Sequence, residues 1–240
     1  MAIRRGPLAP PEAGTEVFDI NFATGTSPVV PSAISGVDMA ILSARTGADK
    51  HYQPSRLLGG YLKTNSTEGE AGIGSDLWKF DNQNGWGTTG SALGVNYISW
   101  MWKRAPNFFD VVAYTGTGGT TSQKPHNLGV VPEMIWIKTR SLTGREWVVW
   151  VDGFGTGQTN GTGTKEWLYL NTTASLQSTT SASNTPWGGP HTETTFSTGS
   201  WSRVNDSNET YIAYLFATVA GVSKVGSYTG DGTTVQTIDC

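Results

Sequence analysis

Cysteine is almost missing from this sequence, since Cys240 is the only one in 240 residues. A single thiol cannot form an intrachain disulfide, and it cannot supply a cluster of thiolate ligands to a metal. Charge is scarce too, because only 15% of the residues are charged and the formal net charge is −3. This balance offers no electrostatic basis for binding nucleic acid or an anionic membrane, so we predict neither partner.

Long apolar runs are missing as well. No stretch reaches the roughly 18 apolar residues that a membrane-spanning helix needs, and the opening segment Met1–Pro7 lacks the apolar core of a signal peptide. A sustained helical period is also absent, and few clusters of Ala, Glu or Lys would favour a helix. The sequence therefore predicts neither membrane insertion nor a helical fold.

Signatures of catalysis and of metal binding are equally sparse. The histidines His51, His126 and His191 are far apart, whereas a zinc site needs ligands at short fixed spacings. No Gly-x-Ser-x-Gly nucleophile motif occurs. Six carboxylates are available for the pair that cleaves a glycosidic bond, although no spacing requires that chemistry: Asp76, Asp81, Glu146, Asp152, Glu166 and Glu193. We predict no metal, no cofactor and no enzymatic activity, with a polysaccharide depolymerase as an alternative.

Glycine and aromatic residues are abundant instead, with 31 Gly, 10 Trp, 8 Tyr and 8 Phe. Short runs such as Trp147–Val151 and Tyr211–Val219 are apolar on both faces, which is typical of a strand inside a packed sheet. Loops of Gly, Thr and Asn separate such runs at a spacing of about 8–12 residues, as in antiparallel sandwiches. We predict an all-β fold of antiparallel β-sandwich units, concanavalin-A-like or jelly-roll-like.

The same pattern occurs twice along the chain. Tyr97–Trp102 matches Tyr211–Phe216 at an offset of 114 residues, and the Tyr-Thr-Gly that follows each of them matches at the same offset. Further matches are Met39–Arg45 with Met134–Arg140 at 95, Tyr61–Asn65 with Trp167–Asn171 at 106, and Phe22–Thr26 with Ala113–Thr117 at 91. A repeat of this length indicates that a whole folding unit has been duplicated.

The repeat and the composition together predict four segments. Residues 1–16 are rich in proline and are expected to form an extended N-terminal arm without a core of its own. Residues 17–109 and 110–223 are the first and second sandwich units. Residues 224–240 are the expected start of a truncated third unit, because Lys224–Gly232 repeats the opening of the second unit and few residues follow.

Three parts of the sequence carry a resemblance to a known family. They are His126–Lys138, which reads His-Asn-Leu-Gly-Val-Val-Pro-Glu-Met-Ile-Trp-Ile-Lys, then Tyr97–Arg104 with Val111–Gly118, and Asn205–Tyr214. These parts resemble the recurrent module of marine bacteriophage and cyanophage tail-fibre and other virion proteins. The first unit departs from that module, because Ser27–Pro31 stands in place of the His-Asn-Leu-Gly string.

The resemblance implies tandem concanavalin-A-like or SPRY-like β-sandwiches in a virion protein made in the bacterial cytoplasm. The implied function is structural: the N-terminal portion of a tail fibre, or of a related tail or capsid appendage, that anchors and projects host-recognition modules. The implied partners are other virion proteins and further copies of the chain, which would form a homotrimer in a fibre. The alternative is a lectin-like module that binds host surface glycans.

Two sets of residues are candidates for contact with those partners. The arm residues expected to dock on another virion protein are Arg4, Arg5, Pro7, Pro10 and Pro11. Four tryptophans in Gly/Asn/Ser-rich surroundings could stack on sugar rings if their indoles are exposed: Trp78, Trp86, Trp187 and Trp201. The competing interpretation is that these indoles plug the ends of the sandwich cores.

Overall fold

A computed structural model describes residues 9–23, 29–45, 51–74, 78–87, 97–155, 158–159, 162–232 and 237. Seven strands belong to the first repeat: β1 (Phe18–Ala23), β2 (Val29–Pro31), β3 (Met39–Ala44), β4 (Tyr52–Pro54), β5 (Tyr61–Lys63), β6 (Gly85–Gly87) and β7 (Tyr97–Trp102). Ten belong to the second: β8 (Phe109–Thr115), β9 (Ser122–Pro125), β10 (Met134–Thr139), β11 (Val148–Val151), β12 (Gln158–Thr159), β13 (Thr162–Gly163), β14 (Lys165–Tyr169), β15 (Gln177–Thr179), β16 (Thr195–Thr198) and β17 (Thr210–Phe216).

The helical content of the described chain is one 3₁₀ turn at Gly14–Glu16 and one α-helical turn, α1, at Ser202–Asn205. No helix in the described ranges is both long enough and apolar enough to cross a membrane. The strands pair antiparallel throughout. The prediction of an all-β fold built from packed antiparallel sheets is confirmed.

Each repeat contributes one large sheet and one two-stranded sheet. The first large sheet has the order β1-β7-β3-β4-β5, and the second has the order β15-β14-β11-β10-β17-β8. The two-stranded sheets are β2-β6 in the first repeat and β9-β16 in the second, and β12-β13 forms a separate hairpin. Apart from the additional β15, the two large sheets therefore follow the same path.

Strand registers reproduce the offsets that the sequence contains. In the first large sheet Trp102 faces Phe18 on one side and Met39 on the other. In the second, Phe216 faces Phe109 and Met134 in the same way. Phe216 lies 114 residues after Trp102, Phe109 lies 91 after Phe18, and Met134 lies 95 after Met39. These are the offsets of the sequence matches. β8 begins at Phe109, one residue before the predicted boundary between units.

Three buried apolar cores separate four layers of sheet. The first outer core joins β2-β6 to the first large sheet through residues such as Val30, Trp86 and Leu42. The central core joins the two large sheets and contains Met39, Leu62, Phe109, Val111, Ile212 and Tyr214. The second outer core joins the second large sheet to Phe196 of β9-β16 and to the loops that carry Trp187 and Trp201. The two repeats therefore share a core.

The segments at both ends of the described chain lie against the central core. Pro11 and Val17 are buried, and the backbone around Gly14 approaches the carbonyl oxygen of Val222. Val222 and Val225 pack on the same core. Within the expected arm Pro11 is thus buried, whereas Glu12, Thr15 and Glu16 are exposed. Residues 224–232 and 237 lie in no strand, and the rest of the predicted third unit falls outside the described residues.

An aspartate at the start of each repeat fixes the edge of its large sheet. Asp19 Oδ1 accepts the N–H of Ile20, and its Oδ2 accepts the N–H of Ala33 at 2.7 Å. Asp110, 91 residues further on, accepts the N–H of Val111 at 2.9 Å and that of Asn127 at 2.7 Å. Each carboxylate satisfies an amide of its own edge strand. It also holds the loop that leads into β3 in the first repeat, or into β10 in the second.

Two further polar contacts are duplicated at the same offsets as the strands. Asp38, which precedes β3, accepts the backbone N–H of Arg104, just after the end of β7. Glu133, which precedes β10, accepts that of Thr218, just after the end of β17. Asn65 Oδ1 accepts the N–H of His51, and Asn171 Oδ1 accepts that of Trp147. The duplication therefore includes hydrogen-bonding side chains as well as apolar positions.

Replacing Asp110 with Ala is expected to lower the free energy of unfolding by about 2 kcal/mol, because the buried amide of Val111 and the part-buried amide of Asn127 lose a charged acceptor. Urea denaturation followed by tryptophan fluorescence measures the change. Asp19→Ala should produce a smaller loss, since Asp19 is only half-buried. The exposed Glu193 provides the control as Glu193→Ala. An Asp110→Ala variant as stable as the control would contradict this role.

Candidate functional site

Three of the four candidate tryptophans are buried. Trp86 and Trp187 have no exposed surface and Trp201 is 7% exposed. The indole N–H of Trp86 donates to Ser99 Oγ, and the indole N–H of Trp187 donates to the Glu166 carbonyl oxygen. The exposure that sugar stacking requires is therefore missing at these three residues, and they fill the outer cores, as in the competing interpretation. Trp78 is half-buried and remains at the surface of the first outer core.

Arm residues proposed for docking are only partly within the described structure. Arg4, Arg5 and Pro7 lie outside the described residues. Pro10 is exposed, whereas Pro11 is buried against the chain's own fold. Docking of Pro11 on a partner is therefore not supported by its position, and the other arm residues stay a prediction.

The three histidines differ in their exposure. His51 is exposed, while His126 and His191 are buried at 6% and 1% exposure. His126 accepts the N–H of Leu128 through Nδ1, and His191 accepts that of Ser197 through Nδ1. Burial lowers the pKa of His191 to about 3, so this ring is neutral at physiological pH. His126 thus holds the loop backbone at Leu128, and His191 holds the backbone of β16 at Ser197.

Among the described carboxylates considered for glycoside cleavage, Asp81 and Glu146 form ion pairs. Asp81 contacts Arg56 at 3.5 Å, and Glu146 contacts Arg203 at 2.5 Å, which holds the pKa of Glu146 below its usual range. Glu166 is buried, Asp152 and Glu193 are exposed, and Asp76 lies outside the described residues. In the described part of the chain, no group of three or more His, Cys, Asp or Glu side chains is arranged to hold a metal ion.

The junction between the two repeats is a polar site that the sequence reasoning missed. Glu70 lies at its centre, with 1% of its side chain exposed. One oxygen accepts the N–H groups of Gly59 and Gly60 at 2.6 and 2.9 Å, and the other accepts Arg140 Nε at 2.6 Å. A carboxylate of the first repeat thereby pairs with a guanidinium of the second.

Backbone hydrogen bonds surround this ion pair. The Glu70 N–H donates to the Arg140 carbonyl oxygen at 2.7 Å. The carbonyl oxygen of Thr67 accepts the N–H groups of Gly144 and Arg145 and lies 3.5 Å from Lys138 Nζ. Thr67, Gly69 and Glu70 of the first repeat are thus bonded to residues 138–145 of the second.

Lys138 is a fully buried lysine within this junction. Its ammonium group donates to the Thr139 carbonyl oxygen at 3.1 Å, and Glu146 is the carboxylate that acts on it electrostatically. Burial lowers the pKa of Lys138 from 10.5 to about 8, against a smaller opposing effect of Glu146. The side chain therefore carries its charge at neutral pH at a cost in stability.

Two buried hydrogen bonds extend the junction into the central core. Gln53 of β4 donates through Nε2 to the Tyr214 hydroxyl at 2.8 Å, and that hydroxyl is 3.0 Å from Gln53 Oε1. Trp147 donates its indole N–H to the Lys63 carbonyl oxygen at 2.9 Å. Each bond crosses from one repeat to the other, so polar groups in the shared core are satisfied across the boundary.

Comparison with known proteins identifies a family. The model described as "Domain of unknown function (DUF7483)" matches residues 20–238, which includes both repeats. The chain belongs to this family. No curated protein and no solved structure matches the chain. The match spans the junction, so both repeats and the contacts between them lie within one DUF7483 domain.

Removing the Glu70 carboxylate is expected to destabilise both repeats together. Glu70→Ala should lower the free energy of unfolding by about 3 kcal/mol, because Arg140 and two amides lose their acceptor. A double-mutant cycle with Arg140→Ala, read by guanidinium denaturation, measures the coupling. Asp81→Ala, which removes a carboxylate that is 94% exposed from its ion pair with Arg56, is the control and should leave stability unchanged. Additive effects of Glu70→Ala and Arg140→Ala would contradict the pairing.

Titration of Lys138 should make part of the stability depend on pH. Between pH 8 and 10.5 the unfolded chain binds more protons at this residue than the folded chain, so its contribution to stability rises with pH. The stability of the original protein relative to Lys138→Met should therefore rise across this interval. Denaturation midpoints of the two proteins at pH 7 to 10.5 measure the difference. Parallel curves would show that Lys138 titrates normally.

Proposed function

We propose that the chain is a structural protein of a phage virion, a module of a tail fibre or related appendage in which the two repeats act as one rigid spacer. The resemblance of His126–Lys138 and of the repeated aromatic strands to tail-fibre modules supports the virion origin. The all-β fold is compatible with that origin. The observation that carries the mechanical part of the proposal is the core shared by the two large sheets.

A spacer has to keep its parts in a fixed orientation. Adjacent domains move relative to one another unless their interface is large and apolar. Here the interface contains buried residues of both repeats, with Met39 and Leu62 on one side and Phe109, Ile212 and Tyr214 on the other. The Glu70–Arg140 ion pair and the Gln53–Tyr214 hydrogen bonds add directional contacts. Rotation of one repeat against the other would break all of them.

Attachment and oligomerisation are further parts of the proposal. The N-terminal arm with Arg4 and Arg5 would attach the module to a neighbouring virion protein, and copies of the chain would associate as a homotrimer in a fibre. The charged pair of arginines suits an acidic surface on that neighbour. Light scattering of the purified chain gives the number of copies in the soluble oligomer, and the expected result is a trimer.

The location of the chain can be tested directly on particles. Purified virions from cells that produce the chain are analysed by quantitative mass spectrometry and labelled with gold-conjugated antibody against residues 97–155. We expect the chain at a fixed number of copies per particle, with gold on a tail or capsid appendage. Antibody preabsorbed with purified chain provides the control. A chain that is abundant in infected cells but missing from purified particles would overturn the proposal.

A further inference from the structure

A cluster of partly exposed aromatic rings lies at the β4-β5 side of the first large sheet. The ring centroids of Tyr52 and Tyr61 are 5.1 Å apart, and that of Trp78 lies 5.2 Å from Tyr61 and 6.2 Å from Tyr52. All three side chains are half-buried, unlike the fully buried Trp86 behind them. We call these three rings the aromatic cluster.

The cluster is held from beneath by the first outer core. Phe80 and Trp86 stack at 5.8 Å, and Trp86 stacks on Trp78 at 5.7 Å with an interplanar angle of 25°. Trp86 is fixed in turn by its hydrogen bond to Ser99. A row of stacked rings therefore runs from the buried core to the surface, and it holds Trp78 in place before any ligand arrives. Preorganised rings lose little conformational entropy on binding.

An ion pair stands beside the rings. Lys63 Nζ is 2.5 Å from Glu68 Oε2 and 5.9 Å from the centre of the Tyr61 ring. Glu68 is 40% exposed and Lys63 is 13% exposed. The pKa of Lys63 is raised, chiefly by its hydrogen bond to Glu68, so the ammonium group is retained at physiological pH. This ion pair thus offers donors and acceptors, with no net charge of its own, next to apolar ring surface.

The second repeat closes the same position. At the offset of 106 residues, Trp167 replaces Tyr61 and Tyr169 replaces Lys63. Trp201 packs on both rings, at 5.1 Å from Trp167 and 6.4 Å from Tyr169. Trp201 is only 7% exposed, and the Arg203 guanidinium lies 4.5 Å over its ring. The third ring is therefore half-buried in the first repeat, at Trp78, and buried in the second, at Trp201, while Trp167 and Tyr169 stay half-buried.

We propose that the aromatic cluster of Tyr52, Tyr61 and Trp78, together with the Lys63–Glu68 ion pair, is a binding site for a neutral saccharide. Sugar rings present C–H groups that pack on aromatic side chains, and their hydroxyls both donate to a carboxylate and accept from an ammonium group. A charged ligand would require an uncompensated charge, whereas the two charges here balance. The site lies at Trp78, the one candidate tryptophan that is not buried in a core.

The test uses the full chain on two arrays, one of neutral and acidic oligosaccharides and one of peptides. We expect binding to neutral oligosaccharides, and titration of the best of them by tryptophan fluorescence gives its dissociation constant. Tyr61→Ala and Lys63→Met should each weaken binding by about fivefold or more, the loss that marks an important contact residue. Trp78→Phe, which keeps an aromatic ring, should weaken it less.

Tyr169→Ala removes the ring at the position of Lys63 in the closed repeat and should leave saccharide affinity unchanged. Circular dichroism and melting temperature are recorded for every variant. If Tyr61→Ala fails to fold, the affinity of Lys63→Met decides the test. Binding to peptides or acidic oligosaccharides alone, or no binding at all, would overturn the proposal. So would neutral saccharide binding that survives Tyr61→Ala and Lys63→Met. None of these results bears on the presence of the chain in virions.

Discussion

Burial of β17 on both of its faces is the constraint on which the rest of this architecture depends. Every residue from Tyr211 to Phe216 is buried, with Tyr211, Ala213 and Leu215 in the second outer core and Ile212, Tyr214 and Phe216 in the central core. A strand of this kind is stable only when another layer covers each face. The second large sheet therefore needs β9-β16 on one side and the first large sheet on the other. The second repeat is thus not a self-sufficient sandwich, and residues of the first repeat complete its burial.

Equivalent surfaces of the two repeats meet in the central core. Phe18 and Phe109, Met39 and Met134, and Trp102 and Phe216 occupy matching positions, and all six pack on that core. Contact between equivalent surfaces is the property of a two-fold symmetric dimer. The polar contacts break that symmetry. Glu70 corresponds to Leu176 and Arg140 to Arg45, so the reciprocal ion pair cannot form. Sequence divergence has made the interface one-sided, which fixes a single arrangement of the repeats.

Hydrophobic periodicity and the internal offsets were sufficient to predict the strands and their duplication, because strand pairing preserves those offsets. They were not sufficient to show which of the candidate tryptophans are buried. Glycines around Trp86 and Trp187 resemble loop sequence, yet a Cβ at Gly85 would lie 2.0 Å from the Val30 carbonyl oxygen and one at Gly188 would lie 2.6 Å from that of Thr120. Glycine there permits close approach of backbones around a buried ring. The Glu70–Arg140 pair joins residues 70 positions apart, and no local pattern identifies such a contact.

Edge strands limit how this fold can assemble with other chains. Asp19 and Asn21 accept the N–H groups of Ile20 and Phe22 in β1, and Asp110 accepts that of Val111 in β8. Amides that are already bonded to their own strand cannot pair with a strand of another protein, so growth of either sheet at these edges is disfavoured. Ile20 and Phe22 nevertheless remain 48% and 50% exposed. A partner at β1 would therefore pack against side chains, and its specificity would depend on the shape of that surface rather than on backbone pairing.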